Sequence, residues 1–317
     1  MILREFVENS HEIRSKPSLQ KRKDKKMKTI LLGAVAYDPK VVPIWDIIRE
    51  YANNYGCKLD YVLFSNYERQ IDALLKGSID IAWNTNTAWI RTLYATQNKA
   101  KALIMRDTDV NFTTKFVCKK GSGIKTLKDL QGKSFGLGSM DSAQAAIMAL
   151  YYLKRAGISL DIKEFNSPDE CGRANEKELS VVRYNSDVGK HGDTGRSEYD
   201  ILEGIKSGRL DAGSIGSSTW ARILENGSYP EIESFWTSEG YCHCNFSVLP
   251  NFDEALGEKF SQMLLSQNER KNEELISKMM TMEGLNRWIR VGKSELEAYH
   301  KVYEAMKEQN LLENKVG

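Results

Sequence analysis

The sequence predicts an α/β protein of two lobes, with mixed sheets, helices on both faces and a ligand cleft between the lobes. Strand-type and helix-type segments alternate from Ile30 to Met105, which is typical of a parallel sheet covered by helices. A helix–strand–polar-turn unit at residues 77–89 returns at 208–220 with Gly, Asp and Trp in the same register. Two such units in one chain indicate two similar lobes.

In the first unit, an amphipathic helix ends at Gly77, because glycine enters the left-handed conformation without a steric penalty. The apolar run Ile79–Ala82 has the length of a strand. Small polar residues follow its carboxyl end, where open α/β sheets bind ligands. The predicted ligand-binding residues are Asn84, Thr85, Asn86 and Thr87 in this unit, and Ser217 and Ser218 in the second.

Composition limits the class of partner. The 317 residues suffice for two domains, and 41% hydrophobic with 28% charged residues is ordinary for a soluble globular protein. A net charge of +2 gives no support for nucleic-acid binding. No run approaches the roughly 20 apolar residues of a membrane span. We therefore expect a small-molecule partner, with neither nucleic acid nor a membrane span.

The first 26 residues are highly charged and predict a solvated, disordered tail. We interpret Ile30–Ala36 as the first buried strand; a short signal core starting from Met27 is the alternative. The odd number of cysteines, without framework spacing, favours reduced thiols. They are Cys57, Cys118, Cys171, Cys242 and Cys244. The chain as written is therefore predicted to be cytoplasmic, and export from Met27 stays open.

The second half begins with a strand, Thr113–Lys119, long enough to cross to another lobe. After the strand Ser134–Leu137 comes a hydroxyl-rich turn and then a helix, Ala143–Ala156. Such a helix start attracts oxyanions, and plain capping by Ser139 or Asp141 is the alternative. The candidate ligand-binding residues here are Ser139, Met140, Asp141, Ser142 and Ala143.

Two further segments are polar. Residues 166–185 predict an insertion or long loop. The glycine-rich loop 187–195 contains four candidates for a ligand clamp, of which the His–Asp pair is also a catalytic candidate. They are Lys190, His191, Asp193 and Thr194. A cap or surface group is the alternative for the His–Asp pair.

Cys242-His243-Cys244 lies on the segment that returns to the first lobe. In an extended chain the two cysteines face one side and His243 the other. Zinc requires four ligands, and only Cys171 and His191 are available to complete the set. We therefore interpret the cysteines as buried or pocket-lining thiols, and we predict no metal and no cofactor. The C-terminal region predicts helices at 283–288 and 294–309, the latter with a core-packing stripe.

These segments predict a tail at 1–26, lobe one from 27–112 and 242–317, and lobe two from 113–241. Several of them together resemble the phosphonate-type substrate-binding proteins of ABC transporters, which have the type II periplasmic-binding-protein fold. The resemblance covers roughly 27–310. It rests on residues 34–39, on the helix that ends at Gly77 with Asp80, and on residues 127–133, 139–142, 190–193 and 208–220.

The resemblance implies two lobes that close on a small anion such as phosphate, phosphite or a phosphonate, and an ABC permease as partner. It implies that Ser139, Ser142 and the N–H groups near Asp141 and Ala143 hold the anion. Tyr37, the 84–87 turn and the loop 191–194 match the remaining contacts. Where the family commonly has an acid in the second turn, this chain has Gly216. The sequence leaves monomer and dimer open.

We favour a binding protein over two alternatives. The first is a cytoplasmic enzyme on the same fold in cofactor or small-metabolite biosynthesis, since binding-protein folds also serve catalysis. In that case His191 or His243 acts as acid/base, and Cys242 or Cys244 as nucleophile or sacrificial donor. The second is a protein-interaction scaffold with a vestigial cleft.

Overall fold

The computed structural model describes residues 28–163, 177–184 and 196–315, which form two six-stranded mixed sheets. The first sheet contains β1 (Ile30–Val35), β2 (Leu59–Phe64), β3 (Ile81–Asn84), β4 (Lys101–Arg106), β11 (Asn245–Val248) and β12 (Trp288–Arg290). The second contains β5 (Thr114–Lys119), β6 (Ser134–Leu137), β7 (Leu160–Lys163), β8 (Leu179–Arg183), β9 (Ala212–Gly216) and β10 (Ile232–Thr237).

The two sheets share one topology. The first has the order β12-β4-β11-β3-β1-β2 and the second β10-β5-β9-β6-β8-β7. In each, a core of parallel strands is followed by an antiparallel strand that arrives from a connection with the other sheet, β11 in the first and β5 in the second. The repeated units place β3 and β9 at equivalent positions, so the predicted pair of similar α/β halves is confirmed. We propose residues 28–112 with 242–315 as lobe one and 113–241 as lobe two.

Helices flank both sheets. They are α1 (Val41–Asn54), α2 (Tyr67–Leu75), α3 (Asn86–Ala95), α4 (Met148–Arg155), α5 (Arg196–Lys206), α6 (Ser217–Glu225), α7 (Glu254–Ser266), α8 (Glu274–Glu283), α9 (Lys293–Ala298) and α10 (His300–Glu308). Short 3₁₀ turns cover Asp107–Asp109 and Leu127–Leu130, and a π turn, Ala143–Ile147, leads into α4. Among the described residues, none of the helices combines the length and apolar character that crossing a bilayer requires.

Local signals explain why the repeated units fold alike. Gly77 and Gly208 both have positive φ, 71° and 78°, and each follows a helix by two residues. The carboxyl end of each following strand meets the start of a new helix: Thr85 caps α3, and Gly216 occupies the cap position of α6. The polar turns therefore lie at strand ends, as the sequence predicts.

Each lobe has its own core. Lobe one packs an aromatic cluster in which Trp83 and Phe246 have ring centroids 4.5 Å apart and Trp288 lies 5.7 Å from Phe246. Lobe two packs Phe116 against Phe135 at 4.9 Å. Aromatic pairs at these separations stabilise a core beyond the burial of their area.

Three sequence predictions are wrong. The loop predicted at 166–185 includes β8, whose four apolar-rich positions Leu179–Val182 are buried between two parallel neighbours. The helix predicted at 283–288 fails because Gly284 turns left-handed at φ 74° and Trp288 starts an edge strand. The predicted helix 294–309 is divided in two near Tyr299.

Helix α10 packs against both lobes. Its residues Val302, Ala305 and Met306 are buried, so the predicted core-packing stripe is confirmed. Towards lobe two, Gln309 Nε2 donates to the Ile147 carbonyl at 2.9 Å. Towards lobe one, Arg91 Nε donates to the carbonyl of Leu311, just beyond the helix, at 3.2 Å. The C-terminal segment therefore ties the lobes together on one side.

The close packing of α5 on the second sheet can be tested by substitution of Gly213 in β9. A Cβ there would lie 2.3 Å from Ile201 Cγ2 and 3.1 Å from the Gly136 carbonyl. We expect Gly213→Ala to lower the free energy of unfolding by about 1–3 kcal/mol because the added carbon overpacks the core. Urea denaturation measures the change. The control Gly257→Ala, on helix α7 with its nearest contact at 3.5 Å, should not destabilise. Equal effects would contradict the packing described here.

Candidate ligand-binding site

A cavity of about 750 Å³ opens between the lobes. Lobe one contributes Tyr37 and Lys40, just beyond the carboxyl end of β1, and lobe two contributes Ser217, Ser218 and Arg222 from α6. The cavity therefore lies where carboxyl ends of parallel strands face helix starts, the usual ligand position in open α/β sheets. It brings together three of the predicted ligand-binding residues, Tyr37, Ser217 and Ser218.

Among the described residues, the charges that line the cavity balance. The basic residues are Lys40, Arg106 and Arg222, and the acidic residues are Asp38, Glu225 and Glu283. Since these two sets are equal in number, together they carry no net charge that would attract an anion over a long distance. We therefore expect selectivity to come from directed hydrogen bonds at short range.

The start of α6 provides such directed donors, although Ser217 itself is occupied. Its Oγ accepts a hydrogen bond from the Thr113 amide at 3.1 Å, and its N–H donates to the Thr113 carbonyl. Ser218 Oγ is buried against the cavity and has no hydrogen-bond partner among the described residues. The first N–H groups of an α-helix have no partner within the helix and attract anions. The Ser218 hydroxyl and this helix start together form a site suited to an oxyanion.

The predicted residues at the first polar turn lie elsewhere. Asn84 is fully buried at the end of β3, where it accepts from Gln70 Nε2 at 2.8 Å and donates to Ser247 Oγ at 3.2 Å. Asn86 donates to the Cys242 carbonyl at 3.2 Å. Thr85 and Thr87 are also buried, with their hydroxyls 3.0 Å apart. These side chains join neighbouring strands, and a ligand-binding role for them stays a prediction.

The hydroxyl-rich turn 139–143 is also largely buried. Ser142 caps the following π turn, accepting from the Ala145 amide at 3.1 Å, so the cap is not Ser139 or Asp141 as the sequence alternative proposed. Ser139 Oγ donates to Ser197 Oγ at 3.4 Å. Asp141 and Ala143 are buried, whereas Met140 is exposed. None of the five lines the inter-lobe cavity, and their role in ligand binding stays a prediction.

The loop candidates Lys190, His191, Asp193 and Thr194 lie outside the described residues, and so does Cys171. The zinc set considered from the sequence, which requires Cys171 and His191, therefore has no structural description.

The Cys242-His243-Cys244 segment precedes β11, and its two cysteines lie in different hydrophobic clusters, so the predicted alternation is wrong. His243 Nδ1 lies 3.0 Å from Cys244 Sγ, whereas Cys242 packs with Trp89 and Tyr299 in a separate cluster. Burial, followed by the charges of Glu295 and Asp109, raises the pKa of Cys242 to about 12. Its thiol therefore stays protonated near neutral pH, which argues against a nucleophilic role.

A buried ion pair that was not predicted from the sequence lies beside this segment. Arg106 at the end of β4 donates to both carboxylate oxygens of Asp109, at 2.7 Å each, and also to the carbonyl and Oε1 of Glu283. Burial alone would raise the pKa of Asp109, but the Arg106 guanidinium and the bond with His243 hold it below its ordinary value. The spacing of Arg106 and Asp109 is the only local sequence signal for this pair.

Asp109, His243 and Cys244 place one oxygen, one nitrogen and one sulfur within 4.8 Å of one another, a separation compatible with a metal ion. Both Asp109 oxygens already accept from the guanidinium of Arg106, so a dication would meet a fixed positive charge at close range. We therefore interpret this cluster as an ion-paired structural centre.

A second buried carboxylate stands at the second polar turn. Glu198 of α5 accepts from the Gly216 amide at 3.0 Å and from Gln144 Nε2 at 3.3 Å. Gln144 Oε1 in turn lies 3.2 Å from His243 Nε2. The neighbouring helix thus supplies a carboxylate at the turn where Gly216 replaces the acid that the family resemblance implies. The sequence gives no spacing signal that joins residues 144, 198 and 243.

The two matching halves and the cavity between their strand ends define a two-lobed binding protein of the periplasmic type. The family model of the periplasmic phosphonate substrate-binding proteins of ABC transporters matches residues 37–294. This match covers most of the chain, and the chain belongs to that family. The predicted fold and the binding-protein reading are confirmed, whereas the family gives no support to the enzyme alternative.

Comparisons with individual proteins are consistent with this family. The chain is 24% identical over 226 residues, 69% of its length and 68% of the relative's, to a probable ABC transporter phosphite binding protein, PhnD1, of Prochlorococcus marinus strain MIT 9301. A structure of PhnD1 with methylphosphonate matches with a TM-score of 0.66 and 17% identity over 90% of this chain and 99% of that one. XAC2383 of Xanthomonas citri, bound to ATP, matches with a TM-score of 0.69 and 13% identity over 89% and 98%.

The predicted cytoplasmic location is wrong, because the family consists of periplasmic proteins, which are exported. Reduced cysteines do not indicate the compartment of this protein, for a physical reason. Cys57, Cys118, Cys242 and Cys244 are free but buried, and a buried thiol is shielded from the redox state of the surrounding compartment.

The Arg106–Asp109 pair leads to a stability prediction. Asp109→Asn should lower the free energy of unfolding at pH 7 by about 3–5 kcal/mol, because it leaves a buried guanidinium without its bidentate partner. Since the folded pKa of Asp109 lies below its unfolded value, the stabilisation is present above about pH 4 and is lost as pH falls through the folded pKa. The deficit of the variant should therefore shrink in acid.

Urea denaturation at pH 7 and pH 3 measures both effects. The control Asp46→Asn breaks a half-exposed pair with Arg49 at 2.8 Å and should cost less than about 1 kcal/mol. A deficit for Asp109→Asn as small as that of the control would contradict the assignment of a buried, charge-paired carboxylate.

Proposed function

We propose that this protein binds a small tetrahedral oxyanion, a phosphonate, phosphite or phosphate, in the cavity between its lobes and delivers it to an ABC permease. The observation that carries the proposal is the buried Ser218 hydroxyl, without a partner among the described residues, at a helix start that faces the cavity. The family match and the phosphite and methylphosphonate named for PhnD1 support the same ligand class.

In the proposed anion-binding site, both lobes contact the ligand. Lobe two offers the Ser218 hydroxyl, the N–H groups at the start of α6 beyond that of Ser217, and the Arg222 guanidinium, and lobe one offers Tyr37 and Lys40. Hydrogen bonds to charged groups contribute about 1.5–3 kcal/mol each. Because donors lie on both walls, the anion is held fully only when the walls approach each other. This arrangement makes ligand binding favour the closed protein.

We further propose that the protein acts without nucleic acid, as a monomer or dimer. A permease partner follows from the family, and the lobes closed on a ligand are the form that we expect the permease to recognise.

Ser218→Ala tests the proposed anion-binding site. We expect about a tenfold loss of affinity for methylphosphonate, or 1.4 kcal/mol, because the substitution removes one directed donor without changing the charge. Isothermal titration calorimetry measures the affinity. Ser207→Ala is the control, since that hydroxyl, just beyond the end of α5, donates to the Glu203 carbonyl at 2.8 Å. The proposal fails if Ser218→Ala binds as tightly as the control.

A second pair of variants distinguishes the site at the start of α6 from the site at the 139–143 turn that the sequence resemblance implies. If the anion occupies the α6 start, Lys40→Ala with Arg222→Ala should weaken methylphosphonate binding by at least about tenfold. The double variant Ser139→Ala with Ser142→Ala should then bind within a few-fold of the unmodified protein when both are titrated at a temperature at which they are fully folded. The opposite pattern in the same calorimetric titration would move the ligand to the 139–143 turn.

A further inference from the structure

We propose that His243 is a positioning residue that holds the two lobes in the arrangement in which the cavity walls face each other. It lies where the chain returns from lobe two to lobe one. Its backbone N–H donates to the Asp109 carbonyl on the other connection at 2.9 Å, and Phe112 and Tyr241 pair beside it. The two connections between the lobes are therefore joined at this residue.

One ring nitrogen faces lobe one. His243 Nδ1 lies 3.5 Å from Asp109 Oδ1, and Asp109 accepts both of its 2.7 Å bonds from Arg106. Arg106 donates onward to the Glu283 carbonyl at 2.7 Å. Because Arg106 and Glu283 both line the inter-lobe cavity, this side of the ring is connected to the lobe-one wall.

The other ring nitrogen faces lobe two. His243 Nε2 lies 3.2 Å from Gln144 Oε1, and Gln144 Nε2 donates to Glu198 Oε1 at 3.3 Å. Glu198 Oε2 accepts from the Gly216 amide at 3.0 Å. Gly216 directly precedes Ser217 and Ser218, so this side of the ring is connected to the lobe-two wall.

The direction of the hydrogen bonds follows from the Gln144 amide. Its NH₂ group donates to Glu198 Oε1 and its oxygen faces His243, and an amide oxygen can only accept. His243 Nε2 is thereby assigned as a donor. The ring also stacks on Phe112, with centroids 4.5 Å apart at 27°. Donor assignment and stacking together leave the imidazole a single orientation.

Burial makes these links costly to break. The exposed fractions are 1% for His243, 1% for Gln144 and 0% for both Asp109 and Glu198. A buried polar group that loses its partner costs about 1–3 kcal/mol, more if it is charged. Loss of the His243–Gln144 link would therefore allow a wider range of lobe arrangements and would weaken any ligand that needs both walls.

Two substitutions at position 243 separate the two links. The amide NH₂ of Gln reaches about as far as Nε2, so His243→Gln preserves a donor to Gln144. The shorter Asn reaches about as far as Nδ1, so His243→Asn preserves only the Asp109 side. Gln is also nearer to His in volume, so packing alone would rank the two replacements in the same order. Gln144→Met, which keeps the side-chain volume but removes the amide, separates a positioning role from packing.

The test measures the distance between the lobes by electron paramagnetic resonance, with spin labels on Glu50→Cys and Lys154→Cys, exposed positions of lobes one and two. Without ligand, we expect His243→Asn to broaden the distribution and shift it to longer distances, and His243→Gln to match the unmodified protein. Gln144→Met breaks the same link from lobe two and should broaden it as well, which keeps the test available if His243→Asn does not fold. Unchanged distributions for His243→Asn and Gln144→Met, or equal broadening by both substitutions at 243, would overturn the proposal.

A second arm rests on the proposed function. Titration with methylphosphonate should show about tenfold weaker binding for His243→Asn and a near-normal affinity for His243→Gln. Equal affinities of the two variants would overturn the link between lobe position and binding. The distance measurement needs no ligand, so failure of the unmodified protein to bind methylphosphonate contradicts the proposed function and leaves the role of His243 decided by the distances.

Discussion

Charge pairing is required where the two connections between the lobes meet, because the charges there are buried. Arg106, Asp109 and Glu283 are all buried, and buried charged groups are tolerated only when they are paired and hydrogen-bonded. That requirement holds the end of β4, the end of α8 and the returning segment at His243 together. His243 joins this centre to Gln144 of lobe two, so the strand ends of both lobes can face one cavity.

The repeated unit explains how the cavity acquires its chemistry. In each lobe a glycine ends a helix, a buried strand follows, and the next helix begins at the strand's carboxyl end. The two copies then diverge. Lobe one buries its polar turn around Asn84 to join strands, whereas lobe two leaves Ser218 at the cavity. With balanced charges among the described residues of the walls, we expect recognition to depend on these directed donors, which select a compact anion through short hydrogen bonds.

Features encoded by neighbouring residues were predictable from the sequence, and features built from distant ones were not. The positions of Gly77 and Gly208 predict the helix ends, and the apolar run Ile79–Ala82 predicts β3 within two residues. In contrast, Arg106 and Glu283 are 177 residues apart and Gln144 and His243 are 99 apart, so no local spacing reveals their contacts. The burial of Asn84 and Ser142 has the same origin, since tertiary packing decides which polar turn faces a ligand and which becomes a cap.

We propose that two matching lobes hold a small oxyanion between the helix start at Ser218 and the opposite wall at Tyr37. A crystal structure of the protein with methylphosphonate should therefore show density for the ligand within hydrogen-bond distance of Ser218 Oγ and of a donor from lobe one. Ligand density confined to one lobe, or located outside the cavity between the lobes, would contradict it.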